Sequence, residues 1–334
     1  MAQEPGPVLE ALEKGTVQPD AVRLFEGHSG WGPGQLEAEL GESSWLVGAP
    51  NAGKSTLLNR MIGSKISIVT PKVQTTRTRI TGICMAGEET QIVFLDTPGI
   101  SEPKRRLEKA MVMAAWTGAQ DADVVVLLVD ARGGFDGDSG RIVEGLAKRR
   151  RRAVLALNKI DGLRREDLLP LAAKLNETGV FSDSFMISAL NGDGVDDLRD
   201  FLAVRMPVGP WLYPEDQLSD IPLRLLAAET TREKLFLRLH QELPYALGVE
   251  TESWEELKDG SLRIGQVIYV LRDSHKPIIL GKGGRQIKAV GQAARLDLEA
   301  FLGQRVHLFI HVKVAPKWTD DPSRYREMGL EFPK

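Results

Sequence analysis

Gly48-Ala49-Pro50-Asn51-Ala52-Gly53-Lys54-Ser55 decides the fold, because it satisfies the spacing GxxxxGK[ST] of a phosphate-binding loop. It stands between a short apolar run, Trp45 to Val47, and a helix-prone stretch, Thr56 to Ile62. That order of strand, loop and helix is what the chemistry needs. Glycines let the chain curl until successive backbone N–H groups point inward at phosphate oxygens, and the helix N-terminus adds partial positive charge. Lys54 is then placed to neutralise the β and γ phosphates, and the Ser55 hydroxyl to complete a Mg²⁺ shell. Gly48, Pro50, Asn51, Ala52, Gly53 and Thr56 supply the rest of the cradle. Taken alone, the octapeptide also reads as a Gly-rich turn, so its weight depends on matching segments downstream.

Three further segments belong to the same device. Asp96-Thr97-Pro98-Gly99 follows the apolar run Ile92 to Leu95, a buried strand that delivers Asp96 to the edge where ligands collect in parallel sheets. There the carboxylate can hold Mg²⁺ through water, and Gly99 can bring its N–H to the γ-phosphate. Out of context the tetrapeptide is an acidic strand cap before a Pro-Gly turn. Asn158-Lys159-Ile160-Asp161 follows another strand, Ala153 to Leu157. Guanine carries adjacent N1–H and N2 donors that one Asp161 carboxylate can accept together, whereas adenine offers no such pair. Asn158 would reach the N7/O6 edge and tie the two loops together, and the Lys159 stem would cover the base. Ser188-Ala189-Leu190, after Phe185 to Ile187, would set the Ala189 N–H against guanine O6; three residues are too few to be specific alone.

These spacings resemble the translation-factor-like branch of the small GTPases. Lys65-Ile66-Ser67-Ile68-Val69, with Pro71-Lys72-Val73-Gln74-Thr75-Thr76-Arg77, is similar to the first switch of the Era family. The resemblance implies a Thr that completes the Mg²⁺ shell beside Ser55 and Asp96: Thr76 first, Thr75 second. Arg77 and Arg79 read as solvated or RNA-facing charges before they read as transition-state cations. Ile100 stands where Ras-like enzymes carry a water-orienting glutamine, and an apolar side chain cannot do that work. The resemblance implies a K⁺ ion held partly by Asn51 as the compensation. Slow hydrolysis with partner-assisted product release is the equal alternative.

Composition fits a cytosolic chain of more than one domain. With 334 residues and 42% apolar content there is material for two cores. One cysteine, Cys84, excludes a disulfide framework and lies in a strand-like run. No apolar segment approaches the roughly 20 residues of a membrane helix. Glu4, Glu10 and Glu13 argue against a secretory signal, and five scattered histidines offer no metal spacing. The formal net charge is −3, yet Lys104-Arg105-Arg106, Lys148 to Arg152, and Lys282 with Arg285 and Lys288 are basic clusters. Local field, not total charge, decides whether phosphate is attracted. The run at 148–152 reads as a solvated helix C-terminus, where cations suit the dipole.

Pro207, Gly209, Pro210 and Pro214 mark a linker after the helix-like Val195 to Arg205. Beyond it the pattern predicts a helix over 222–239, strands over 245–254 and 261–271, a long helix ending at Phe301 and a strand over 306–314. Gly281-Lys282-Gly283-Gly284 sits between two helical pieces, and the order resembles a type II KH domain of the Era C-terminus. In that module the GXXG turn clamps single-stranded backbone, with Lys282, Arg285 and Lys288 supplying charge and an adjoining apolar groove taking the bases.

The expected fold class is a doubly wound, mostly parallel α/β GTPase domain at 44–205, a linker at 206–219, an α+β KH domain at 220–318 and a tail at 319–334. The resemblance implies a monomeric bacterial GTPase that uses GTP/GDP and Mg²⁺ and binds the 3′ region of small-subunit (16S) ribosomal RNA. It also implies action on the 30S ribosomal subunit and peripheral association with the inner face of the membrane. A P-loop kinase would not need Asn158 to Asp161, and a tRNA-modification GTPase would bring a helical dimer domain and a redox cysteine. Residues 8–47 instead resemble a fragment of the AlgH/YqgE family, through Gly30-Trp31-Gly32-Pro33-Gly34 and Ser44-Trp45-Leu46-Val47. This extension, 1–43, is expected to be partly disordered, particularly at 1–7. It joins the GTPase inside the first core strand, so an RNA-binding module with a nucleotide domain inactivated by a short strand is the alternative.

Overall fold

The computed structural model of the protein describes residues 43–333 apart from 74, 104, 136, 241 and 242. The expected extension up to residue 42, Gln74 of the first switch and Lys104 of the first basic cluster lie outside the described residues.

The first half runs β1 (Ser44–Gly48), α1 (Lys54–Ile62), β2 (Ile80–Ala86), β3 (Thr90–Asp96), α2 (Arg106–Asp121), β4 (Val124–Asp130), α3 (Gly137–Lys148), β5 (Ala153–Asn158), α4 (Arg165–Asn176), β6 (Phe181–Met186) and α5 (Val195–Ala203). The strands form one sheet in the order β2-β3-β1-β4-β5-β6, parallel except where β2 runs against β3. β4 and β5 are near-continuous apolar runs because helices cover both of their faces. One face buries Trp45, Leu127, Ile142, Leu155 and Leu175 under α2, α3 and α4; the other buries Leu46, Leu57, Phe94 and Leu198 under α1 and α5. The strand ends Gly48, Asp96, Asp130 and Asn158 therefore gather at one edge, beside the point where the strand order reverses.

β1 is short but fully integrated. It pairs with β3 from Ser44 to Leu46 and with β4 from Ser44 to Gly48, and all five of its residues are buried. Trp45, 2% exposed, packs into the core beside Leu127 and Leu155. Its truncation to Ala would cost about 3–5 kcal/mol. The indole Nε1 has no hydrogen-bond partner among the described residues, a penalty that comes with placing tryptophan there.

The expected linker is not a loose spacer. The Gln91 side-chain oxygen accepts the N–H groups of Leu212 and Tyr213 at 3.1 and 3.0 Å, and Ser219 bridges to Gly82. The chain then forms α6 (Leu223–Arg238), β7 (Leu247–Glu256), β8 (Leu262–Val270), α7 (His275–Leu280), α8 (Arg285–Leu302), β9 (Val306–Val314) and α9 (Pro322–Glu327). β7 and β8 pair antiparallel, β8 and β9 parallel. Leu235, Leu247, Ile268 and Val290 form the larger core, and Ala227, Ile264 and Leu298 extend it. The strand expected from Tyr245 begins instead at Leu247, because 243–246 makes a 3-10 turn whose Pro244 and Tyr245 carbonyls accept Arg77.

The segment after β9 packs across both halves. Tyr325 and Leu330 bury against Ala110 and Met111 of α2, while Arg324 pairs with Glu250 of β7. The Asp321 carboxylate accepts the Ser323 N–H at 2.9 Å, starting α9 with a side-chain cap.

Candidate nucleotide site and RNA-facing turn

The loop after β1 turns on two residues with left-handed backbone, Asn51 (φ 63) and Gly53 (φ 101). A Cβ at Gly53 would stand 2.2 Å from Asn158 Nδ2, so the position excludes a side chain on space as well as on conformation. Lys54 Nζ donates to the Gly48 and Ala49 carbonyls, each at 3.2 Å. Burial lowers the Lys54 pKa to about 8, with the nearby Asp96 pulling it the other way. Above the loop opens a cavity of about 530 Å³, lined in part by Pro50, Asn51, Ser55, Thr56, Thr76 and Gly99.

Three oxygens expected to surround Mg²⁺ meet at its floor. Ser55 Oγ donates to Asp96 Oδ2 at 2.7 Å, and Thr76 Oγ1 lies 2.9 Å from Ser55 Oγ and 3.4 Å from the same carboxylate oxygen. Ser67, which no spacing rule singled out, donates to it at 3.0 Å. Asp96 Oδ1 is buried with no hydrogen-bond partner among the described residues. Burial raises the Asp96 pKa, against the pull of Lys54 and the three hydroxyls. A buried carboxylate with an orphaned oxygen beside two hydroxyls suits a hard divalent cation. Thr75 also lines the cavity, but its hydroxyl is engaged elsewhere, 2.6 Å from Thr70 Oγ1 and donating to the Lys72 carbonyl at 2.7 Å.

A Cβ on Gly99 would lie 2.7 Å from Pro50 Cα, so the two backbones touch where a γ-phosphate would approach. Ile100 donates its N–H to the Gly48 carbonyl at 3.1 Å and buries its side chain in the core, which leaves it no part in orienting water.

At the base end, Asn158 Nδ2 donates to the Ala52 carbonyl at 2.8 Å and Asn158 Oδ1 accepts the Ala189 N–H at 2.9 Å. Asn158 thus joins the phosphate loop to 188–190. The Ala189 N–H expected to face guanine O6 is here committed to that amide, its nearest acceptor. Asp161 Oδ1 accepts the Ser188 hydroxyl at 2.7 Å, and Oδ2 pairs with Arg132 at 2.5 Å. The Ser188 hydrogen bond is the main cause of a lowered Asp161 pKa. Lys159 pairs with Asp130 at 2.6 Å, and Leu190 accepts Arg60 through its carbonyl. Arg132 and Asp130 come from the end of β4, a contribution visible only once the strands are aligned.

In the second half, α7 and α8 are joined by Gly281, Lys282, Gly283 and Gly284, with positive φ at all three glycines. Lys282, Arg285 and Lys288 are at least partly exposed, and Ile278 beside them is 54% exposed. The turn therefore offers charge and an apolar surface together.

The first switch lies directly on α6. Glu233 accepts the Val69 N–H at 2.9 Å and pairs with Lys65 at 2.6 Å; Lys65 also reaches Asp297 of α8 at 3.0 Å. Lys72 donates to the Phe236 and Leu239 carbonyls at the end of α6. Arg77 corrects the sequence expectation: it is 2% exposed, neither solvated nor near the phosphate cavity, and its guanidinium donates to Leu247, Pro244 and Tyr245 carbonyls. Burial, with Arg232 nearby, lowers its pKa to about 9.

Comparison with known proteins agrees with this geometry. Family models match residues 44–159 as a 50S ribosome-binding GTPase, 242–319 as a KH domain and 3–64 as AlgH-like. A GTPase Era from Sinorhizobium medicae is 62% identical over 289 residues, 86% of this chain and 93% of the relative. The chain belongs to the GTPase Era family. Two Era crystal structures, one in complex with MgGDPNP and nucleotides 1506–1542 of 16S ribosomal RNA, the other an Aquifex aeolicus variant bound to GDP·AlF4⁻, superpose with a TM-score of 0.82. Each is 38% identical and covers 86% of this chain and 98% of the other. The AlgH-like match overlaps the GTPase match over 44–64, so β1, the phosphate loop and α1 fall in both.

Proposed function

We propose that this Era-family protein binds GTP with Mg²⁺, hydrolyses it to GDP and phosphate, and holds the 3′ region of small-subunit ribosomal RNA at the Gly281 to Gly284 turn. Nucleotide state then governs engagement with the maturing 30S subunit. The observation that carries the reading is the meeting of Ser55, Thr76 and the orphaned Asp96 oxygen on the same sheet edge as Asp161. The RNA assignment draws support from the Era complex with 16S ribosomal RNA.

Ser55, Thr76 and Asp96 would hold the metal, which supplies positive charge to the phosphate oxygens when bound. Lys54 leaves its loop carbonyls for the β and γ phosphates, and the Gly99 N–H binds the γ-phosphate as water attacks it. Asp161 accepts the two guanine donors. Asn51, which donates to the Pro71 carbonyl at 3.0 Å, is poised between phosphate loop and first switch to help hold K⁺ in place of a catalytic glutamine. The paired, fully buried β1 argues against an inactive nucleotide domain. Among the described residues no helix is long and apolar enough to cross a membrane. We take the protein as a cytoplasmic monomer with peripheral contact to the inner membrane face.

The test is GTP turnover with and without K⁺ and a 16S 3′ fragment. Turnover that rises with both is expected. Absence of guanine-specific turnover, or RNA binding unaffected by Lys282→Glu, would sink the corresponding half.

A further inference from the structure

A second cavity of about 540 Å³ lies where the two halves meet, lined in part by Arg105, Arg106 and Glu108 at the start of α2 and by Tyr245, Arg272 and His275. It is about as large as the nucleotide cavity, and none of its lining residues belongs to the GTP site or to the 281–284 turn.

Its chemistry selects an anion. Arg105, Arg106 and Arg272 line it with Glu108 and Asp320, an excess of positive charge even with Arg106 paired to Asp320 at 3.1 Å and the Arg105 N–H donated to Glu108 at 3.1 Å. Arg105 and Arg106 stand at the N-terminal end of α2, where a cation opposes the helix dipole. Helix stability therefore does not account for them. Arginines in excess over carboxylates are the lining expected of a phosphate site.

Position selects the source of that phosphate. His275 opens α7, and six residues later the chain enters the turn at Gly281. At about 1.5 Å of rise per residue, helix α7 separates the two by roughly 9 Å. We propose that the cavity receives backbone phosphates of the same single-stranded RNA that the Gly281 to Gly284 turn clamps. The strand then spans both halves and touches α2, a few residues beyond Gly99 and Ile100. This rests on the RNA reading of the turn. It adds a second anchor, on Arg105 and Arg272, that gives the nucleotide domain its own contact with the strand.

The test uses the full chain carrying Arg105→Glu with Arg272→Glu, titrated with two RNAs of 16S 3′-terminal sequence. One has about four nucleotides, the length a KH turn clamps, and the other roughly twelve. The double variant is expected to bind the longer RNA on the order of 10-fold more weakly. The slope of log affinity against log salt should fall by about 1.4, as for two lost single-strand phosphate contacts. Binding of the short RNA should not change. Equal affinity and slope for the longer RNA would overturn the proposal, and so would an equal loss on both RNAs, which would indicate damage to the turn. If the double variant loses binding of inorganic phosphate yet holds the longer RNA as tightly as wild type does, the cavity is a free-anion site and the proposal also fails. Wild type that binds neither RNA would instead remove the RNA reading itself.

Discussion

Glu233 of α6 accepts the backbone N–H of Val69 in the first switch at 2.9 Å. One buried carboxylate of the RNA-facing half thus holds the segment that carries Thr76, and it does so through main chain, independent of the side chain at 69. Glu233→Ala should cost about 2 kcal/mol by orphaning that N–H and loosening Lys65 and Lys234, the latter paired with Glu233 at 2.9 Å. It should also reduce the difference in RNA affinity between GTP-bound and GDP-bound protein. Chemical unfolding and paired RNA titrations measure the two effects; an unchanged nucleotide dependence would show that the contact carries no coupling.

The same cluster sets an acid limit. Burial alone would raise the Glu233 pKa, but hydrogen bonds from Lys65, Lys234 and the Val69 N–H bring it below its ordinary 4.5. Asp297 is likewise held below 3.8, with the lysine bonds outweighing burial. Carboxylates depressed in the folded state contribute stability that is complete above their unfolded pKa and lost as pH falls through the folded value. Docking of the two halves should therefore hold above about pH 4.5 and loosen progressively below it. Small-angle scattering across that window should show expansion only on the acid side.

Lys54 gives binding a proton signature. Its pKa of about 8 without nucleotide arises from burial, and phosphate beside it would raise the value. Below about pH 8 the ammonium is charged with or without ligand, so no proton moves. Above that, GDP binding should take up close to one proton, and affinity should fall as pH rises. Calorimetry in two buffers of different ionisation enthalpy reads this directly. Zero uptake at about pH 8.5 would contradict it.

Asp161→Asn should weaken GTP on the order of 100-fold and favour xanthosine nucleotide, whose base replaces a donor with an acceptor. With Arg132 bonded to the amide oxygen, the Ser188 hydroxyl can accept from the amide nitrogen, so folding should survive. Unchanged base preference would refute the guanine assignment.

Much of this site was legible because its parts are local: a glycine loop, and strand ends marked by apolar runs before Asp96 and Asn158. The doubly wound sheet was readable from the same runs, and the 306–314 strand matched β9 residue for residue. What escaped was long-range. Ser67 on Asp96, Arg132 on Asp161 and the burial of Arg77 depend on which strands and domains become neighbours, and an arginine in a polar switch sequence carries no mark of the carbonyls that will enclose it. The segment 319–334 looked like a tail for the same reason. Its Tyr325 and Leu330 acquire a purpose only against α2.

That last contact gives folding of this chain a fixed order in time. Tyr325 and Leu330 emerge from a translating ribosome long after the Ala110 and Met111 they cover. During synthesis the nucleotide half must therefore wait with an apolar stripe open to solvent or to a chaperone, and its closure reports that the RNA-facing half has already been made.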